Sequence, residues 1–147
     1  MDLNSLTNKQ ISTQLFVKNV VHLDCAVFIP KLGVMGVSWS LDLNLTGPIR
    51  ENGFIYDFSI VKNIVRKSLK GTIDHSLLVG SETPYQMKGS QEFWDLQEGW
   101  TYLCPETCVY RLPTKEVTKA NVAAEIAGII GREINDPQLK VEVQLRE

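Results

Sequence analysis

The sequence predicts an α+β domain in which two helices cover one face of an antiparallel β-sheet. The first observation is a run of strict alternation, because apolar residues from Met35 to Leu45 alternate with small or polar ones. The second is a pair of segments, near residues 58–69 and 118–134, whose apolar residues have helical spacing. The third is another alternating run, from Leu139 to Leu145, which predicts a further strand.

Length and composition are those of one globular domain. The 147 residues are 44% hydrophobic and 22% charged, with a net charge of −2. The near-neutral balance gives no basic surface for nucleic acid or an anionic membrane. No apolar run approaches the roughly 18 residues that span a bilayer, and the first residues lack the pattern of a signal peptide. We therefore expect a cytoplasmic protein without nucleic-acid or membrane partners, with reduced cysteines.

Two long strands are predicted in the first third of the chain. Residues 1–14 are polar and form a lead-in to a single domain over residues 15–147. The run Leu15–Phe28 is rich in Val, Leu and Phe without Pro or Gly, which is typical of a strand. In the second strand one face is apolar and the other is solvated. The predicted covered face consists of Met35, Val37, Trp39, Leu41, Leu43 and Leu45.

Each predicted helix begins at a capping residue. Asp57 or Ser59 caps a helix that ends near Leu69, after a turn at Asn52–Gly53. The hydroxyl of Thr118 caps a second helix by accepting a hydrogen bond from an unpaired backbone N–H. The predicted buried stripes are Ile60, Ile64, Val65 and Leu69 in the first helix and Val122, Ile126, Ile129 and Ile130 in the second.

Residues 76–112 form an extended insertion with no long periodic element. The runs Trp100–Cys104 and Cys108–Leu112 predict a hairpin around Pro105–Thr107. Cys104 and Cys108 are expected to be free thiols or an occasional disulfide, because one C-x-x-x-C without a companion pair is weak support for a metal site. Aromatic residues of the insertion predict a satellite core or a subunit contact rather than a binding wall. They are Tyr85, Trp94, Trp100, Tyr102 and Tyr110.

A sheet of three or four strands that is covered on one side leaves its edge strands unpaired. Native proteins protect such edges, and neighbouring subunits can do so by continuing the sheet. The length and regularity of the predicted strands therefore favour a homo-oligomer.

Four segments resemble motifs of a known family, and they occur in the family's order. Residues 45–62 resemble a strand end, a turn and a helix opening of the form V-x-D-F-x-x-L-K. Ile73–Leu78 resembles L-D-H-x-x-L, Thr118–Ala123 resembles T-S-E-N-L-A, and Val143–Glu147 resembles V-x-V-x-E. Together they resemble the 6-pyruvoyl-tetrahydropterin synthase / 6-carboxytetrahydropterin synthase family, with this chain as a divergent member.

The resemblance implies a tunnelling fold, in which the sheets of several subunits close into a barrel. It also implies a trimer or hexamer with active sites at subunit interfaces. Members of the family bind zinc through three histidines and turn over dihydroneopterin triphosphate. They use a cysteine together with an Asp–His pair for proton transfer.

The zinc histidines that the resemblance implies are missing from this sequence. Counting back from Thr46–Gly47, the family's H-x-H positions fall on Met35 and Val37, and its first-strand histidine falls near Val27. None of these side chains is a zinc ligand. The sequence holds two histidines, His22 and His75, too few to rebuild the set. We therefore expect no zinc cofactor.

Other site residues are carried over by position. Asp74 and His75 match the family's Asp–His pair, so the resemblance implies a catalytic role for them. Glu147 occupies the pterin-anchoring position, where a carboxylate accepts two N–H groups of a pterin or guanine. Thr118, at the start of the second helix, is the remaining ligand-binding candidate.

Three departures from the family pattern affect the site. The glutamate of the helix-opening motif is replaced by Ala120. Cys25 lies in the first strand rather than in the loop that carries the family's catalytic thiol, and it is expected to be a core residue. Glu106–Thr107 resembles the family's E-T pair, although it occurs out of the family's order along the chain. It is a candidate substitute for the pterin-anchoring glutamate.

Three hypotheses of function remain. The first is a divergent family member that binds a pterin or purine-like ligand at subunit interfaces without zinc-dependent lyase chemistry. The second is an active pterin synthase, a carbon–oxygen lyase with relocated metal ligands. The third is a non-catalytic structural or interaction protein.

Overall fold

The computed structural model describes residues 12–30, 32–50, 56–95 and 101–147, with the backbone alone for residues 93–95. The predicted lead-in as far as residue 11, the turn at Asn52–Gly53 and the side chains of Trp94 and Trp100 lie outside the described part. The elements are β1 (Ser12–Ile29), β2 (Gly33–Pro48), α1 (Phe58–Lys70), β3 (Leu77–Val79), β4 (Gln86–Lys88), β5 (Gln91–Asp95), β6 (Thr101–Pro105), β7 (Val109–Arg111), α2 (Lys119–Ile134) and β8 (Lys140–Arg146).

The main sheet has five strands in the order β7-β3-β1-β2-β8. β1 and β2 form a long antiparallel hairpin, and β8 pairs antiparallel with β2. β3 pairs parallel with β1, and β7 pairs parallel with β3, so the sheet is mixed rather than wholly antiparallel. The parallel pairing follows from the chain path, because α1 is a crossover that returns the chain beside β1. The α+β class with two helices and a mostly antiparallel sheet is confirmed.

The hairpin predicted around Pro105–Thr107 is wrong. β6 pairs with β5 in a second, three-stranded sheet of order β4-β5-β6, whereas β7 joins the main sheet beside β3. A single 3₁₀ turn at Glu106–Cys108 separates the two strands and directs the chain from one sheet to the other. Both strands were recognised, but their partners lie elsewhere in the chain.

The helices and the main sheet enclose one core. Four side chains of the predicted β2 face are buried, namely Trp39, Leu41, Leu43 and Leu45. The predicted stripe of α2 is confirmed, because all four of its residues are buried. The stripe of α1 is wrong by one residue at its start: Val61 is fully buried, whereas Ile60 is 50% exposed. Asp57 caps α1, so positions 61, 65 and 69 face the sheet.

A small satellite core lies beside the main one. It consists of Phe28, Leu77, Val79 and Cys104, with Tyr102 packed against it. Tyr102 therefore confirms the satellite-core interpretation of the insertion. Tyr110 instead packs against the main core and donates to Glu125 Oε1 at 2.6 Å.

An ion pair fixes the end of β8 against β1 and β2. Arg146 donates to Asp42 through Nε (2.7 Å) and Nη2 (3.0 Å). Asn19, at a bulge in β1 with a φ of 54°, donates its backbone N–H to Asp42 and accepts from Arg146. Asp42 is 3% exposed, so its charge depends on these donors. The cluster holds the residue immediately before Glu147.

This cluster predicts an acid-sensitive contribution to stability. The hydrogen bond from Arg146 lowers the pKa of Asp42. A depressed pKa in the folded state stabilises the fold above the unfolded value of about 4, and the contribution is lost as pH falls through the folded value. In urea melts, Asp42→Asn is expected to lose part of the wild-type pH dependence below about pH 4. Glu142→Gln, at an exposed residue of β8, is the control; equal pH dependence in wild type and Asp42→Asn would contradict the assignment.

Among the strand edges without a partner within the described residues are those of β8 and of part of β1. β8 pairs with β2 on one side alone, and β3 pairs with β1 at Ala26 and Val27 alone, which leaves most of that edge of β1 open. Such edges are where another copy would continue the sheet, so the homo-oligomer stays a prediction. Neither described helix is long and apolar enough to cross a membrane.

Candidate functional site

The three positions aligned with zinc ligands lie together at one end of the β1–β2 hairpin. Val27 is directly opposite Met35, and Val37 is opposite Cys25. Residues opposite each other in an antiparallel pair project to the same face, so all three side chains share a face of the sheet. Their side chains are two isopropyl groups and one thioether, which do not fit a zinc site. No group of His, Cys, Asp and Glu suited to a metal ion occurs in the described parts of the chain.

His22 does not take the place of a missing ligand. It lies opposite Ser40, and its ring nitrogens are 2.7 Å from Ser38 Oγ and 3.4 Å from Ser40 Oγ. Side chains alternate between faces along a strand, so Ser38 and Val37 face opposite ways. His22 is therefore on the other side of the sheet from the zinc-aligned positions.

Asp74 and His75 are held against β1 in the turn between α1 and β3. The backbone N–H of His75 donates to Asp24 O at 2.7 Å, and the backbone N–H of Asp24 donates to Asp74 Oδ1 at 3.1 Å. The other oxygen, Asp74 Oδ2, lies 3.5 Å from His75 Nε2. His75 has a φ of 61°, a conformation uncommon for a non-glycine residue. The Asp74 carboxylate is mostly buried, while the His75 ring is 74% exposed.

Asp24 is a site residue that sequence reasoning missed. Its carboxylate accepts from Ser38 Oγ at 2.6 Å and lies 3.7 Å from His22 Nε2. Its backbone binds the Asp74–His75 pair, as described above. Its position among the polar residues of the strands was the sequence feature that could have indicated a role for it. Alternation alone does not predict which of those polar residues contact the turn after α1.

His75 lines a cavity of about 340 Å³. β1 contributes Asp24 and Cys25 to its wall, and the insertion contributes Tyr102, Cys104 and Cys108. Burial raises the pKa of the Cys25 thiol to about 11, and the carboxylates of Asp74 and Asp24 add to the shift. Cys25 is therefore a protonated, buried thiol at neutral pH, as expected for a core residue.

A second cavity, of about 480 Å³, includes the predicted ligand residue Thr118. Its wall is formed by the end of β1 at Phe28–Pro30, the loop after β3 and the segment Lys115–Thr118. Thr118 Oγ accepts from the backbone N–H of Asn121 at 3.1 Å, which confirms its role as the cap of α2. An accepting hydroxyl keeps its own O–H as a donor, so Thr118 can still bind a ligand.

Glu147 is exposed and follows directly after β8. The pairing of Ser40 with Arg146 places it beside Trp39, close to the zinc-aligned Val37. His75 precedes β3, and β1 and β2 lie between β3 and β8. Three strand spacings of about 4.8 Å give a separation of roughly 14 Å, so one chain does not bring Glu147 and His75 together.

The substitute anchor Glu106–Thr107 lies elsewhere again. Both residues line a cavity with Tyr85, Glu92 and Arg111, on the side of the three-stranded sheet. Neither residue lines the cavities that contain Thr118 or His75. The structure therefore does not join this pair to the other candidate residues.

Comparison with known proteins gives one family. A family model described as 6-pyruvoyl tetrahydropterin synthase matches residues 33–147. The 6-pyruvoyltetrahydropterin synthase of Plasmodium vivax and a catalytic-residue mutant of it each superpose with a TM-score of 0.78 at 24% identity, covering 93% of this chain and 92% of theirs. The Plasmodium falciparum enzyme gives a TM-score of 0.73 at 21% identity, over 92% of this chain and 95% of its own. No curated protein matches the sequence. At these identities the structural likeness establishes the fold.

Proposed function

This chain belongs to the 6-pyruvoyl tetrahydropterin synthase family, and we propose that it binds a pterin or a purine-like heterocycle, without zinc, in a site that two copies share. One observation carries the proposal: the Asp74–His75 pair is present and anchored, while aliphatic and thioether side chains occupy the zinc-aligned positions. Zinc would supply the electrophile in the family's chemistry. Because those positions do not fit it, we propose binding rather than zinc-dependent lyase activity.

The Asp74–His75 pair supplies an oriented imidazole. A carboxylate beside an imidazole fixes which ring nitrogen carries the proton. With Nε2 directed to Asp74 Oδ2, the other nitrogen, Nδ1, remains for a ligand oxygen or nitrogen. The two hydrogen bonds to the Asp24 backbone hold the Asp74 carboxylate and the His75 backbone in place.

Glu147 supplies the anchor for the heterocycle. Its carboxylate accepts two parallel N–H bonds from the amino and ring N–H groups of a pterin or guanine, which fixes the ligand's orientation. Arg146, held by Asp42 and Asn19, limits where the next residue can lie. Since Glu147 and His75 lie far apart within one chain, a second copy must provide one of them. Pairing of the open β1 and β8 edges in a trimer or hexamer is the assembly that we propose.

Thermal unfolding with neopterin, biopterin and guanine tests the proposal. A ligand that binds the native state raises the melting temperature, by an amount that grows with ligand concentration. We expect such a rise for at least one of the three compounds. No rise with any of them at millimolar concentration would contradict the proposed pocket.

Two substitutions test the residues. Glu147→Ala should weaken binding roughly 100-fold, because it removes two charge-assisted hydrogen bonds that each contribute about 1.5 kcal/mol. Asp74→Asn, which removes the carboxylate beside His75, should also weaken binding. Glu142→Gln, an exposed change on the strand that precedes the anchor, should bind like wild type. Unchanged affinity in the first two variants, measured by calorimetry, would refute the residue assignment.

A further inference from the structure

All three cysteines of the chain line the cavity that contains His75. Cys25 comes from β1, Cys104 from β6, and Cys108 from the end of the 3₁₀ turn that follows β6. The chain path gathers thiols that are up to 83 positions apart (108 − 25) onto one wall. No step of the proposed ligand binding uses them.

The two cysteines of the insertion differ in accessibility. Cys104 is 7% exposed, whereas Cys108 is exposed. Burial raises the pKa of Cys104, and charge on Cys108 and Glu92 raises it further. The buried thiol is therefore protonated at neutral pH and shielded from reagents in solution, and the exposed thiol is the one that such a reagent meets first. Redox-sensing cysteines are accessible to solvent and often stand next to a second cysteine that resolves the first oxidation product.

The backbone between the two residues directs both toward the same space. Pro105 leaves β6 in an extended conformation, with φ −58° and ψ 139°, and the 3₁₀ turn Glu106–Cys108 then folds the chain back. Both side chains consequently border the cavity four positions apart in sequence. Tyr102 borders the same cavity, and burial together with charge on Cys104 and Cys108 raises the pKa of its hydroxyl.

We propose that Cys108 and Cys104 form a thiol pair that small disulfides of the glutathione class oxidise. The Cys108 thiolate attacks one sulfur of the small disulfide, whose S–S bond breaks; a mixed disulfide forms, and the departing thiolate takes up a proton. The Cys104 thiol then loses its proton to solvent and attacks Cys108 Sγ. A Cys104–Cys108 bond forms as the mixed S–S bond at Cys108 breaks, and the second small thiolate leaves and takes up a proton. Two protein thiols are oxidised, and one small disulfide is reduced to two thiols.

Oxidation of this pair changes the wall that faces His75. A bond between residues 104 and 108 ties β6 to the 3₁₀ turn in the wall of the cavity that contains His75. The cavity is then altered next to the imidazole that the proposed function assigns to the ligand. This consequence rests on the proposed function, whereas the thiol pair itself does not.

Mass spectrometry of the intact full-length protein after incubation with glutathione disulfide tests the pair. The mass of the wild-type protein is expected to fall by two hydrogens. Cys104 and Cys108 should then no longer react with an alkylating reagent. Cys104→Ala should stop at the mixed disulfide and gain the mass of one glutathione. The Cys108→Ser variant, an exposed and conservative change, should form neither the mixed disulfide nor the internal disulfide. Cys25→Ala, the matched control, should still form the internal bond.

Two results would overturn the proposal. One is a wild-type protein whose Cys104 and Cys108 remain open to alkylation after free cysteine in the same buffer has been oxidised. The other is a Cys108→Ser variant that is modified as fast as wild type, which would place the reactive thiol elsewhere. Neither readout involves a pterin, so a failure here is distinct from a failure of the proposed ligand site.

Discussion

Replacing Val27, Met35 and Val37 together by histidine is expected to create a zinc site in this chain. The three positions share one face at the end of the β1–β2 hairpin, with Val27 directly opposite Met35. Three imidazoles and a water complete a tetrahedral zinc site. We expect wild type to retain no zinc after dialysis and the triple variant to retain about one ion per chain.

The triple variant also has a stability signature. Val27 is buried, so an imidazole there destabilises the apo form. Because zinc binds the folded arrangement, added zinc should raise the melting temperature of the triple variant and leave that of wild type unchanged. The double variant Met35→His/Val37→His, with two ligands, is the control and should respond less. A triple variant that responds no more than wild type would show that the three positions do not converge.

Gly80→Ala is expected to destabilise the fold by about 3 kcal/mol. A Cβ at this position would lie 2.1 Å from the backbone oxygen of Lys115, and a backbone atom cannot swing away as a side chain does. The contact joins the end of β3 to the segment before α2, where the backbone N–H of Ser81 also donates to Thr114 O. Adding the methyl group must push these two segments apart.

The control for this substitution is Gly71→Ala. Gly71 follows α1 with a φ of −92°, and a Cβ there meets nothing within 4 Å. Its free energy of unfolding, measured in urea, should stay within about 1 kcal/mol of wild type, since the conformation suits any residue. Similar stabilities for the two variants would mean that β3 and the 112–118 segment are farther apart than described.

Elements with a strong period were predictable from the sequence, and elements defined by distant partners were not. β2, α2 and β8 follow directly from alternation or helical spacing, and β1 follows from a long run rich in Val, Leu and Phe without Pro or Gly. The stripe of α1 was offset by one residue because Ile60 and Val61 are both apolar, and the cap at Asp57 decides which one faces the sheet. β6 and β7 were recognised as strands, but local sequence does not specify that each pairs with a different sheet.

The candidate site divides along the same line. Asp74 and His75 were recognisable from a local motif, and the structure brings the two side chains within 3.5 Å of each other. Asp24 was not recognisable, because its role depends on a contact with a turn that lies fifty residues farther along the chain. The three cysteines line one cavity because β1 and the insertion lie close together in the fold. The spacing of residues along the sequence does not predict that contact.

This chain belongs to the family and has its fold, and we propose that it keeps the family's Asp–His pair but lacks the zinc site. The most direct test is the zinc content of wild-type protein, purified without chelator and without added metal. We expect far less than about one zinc ion per chain, with folding and oligomeric state unaffected by later addition of a chelator. Stoichiometric zinc, released by the chelator together with a fall in melting temperature, would contradict it.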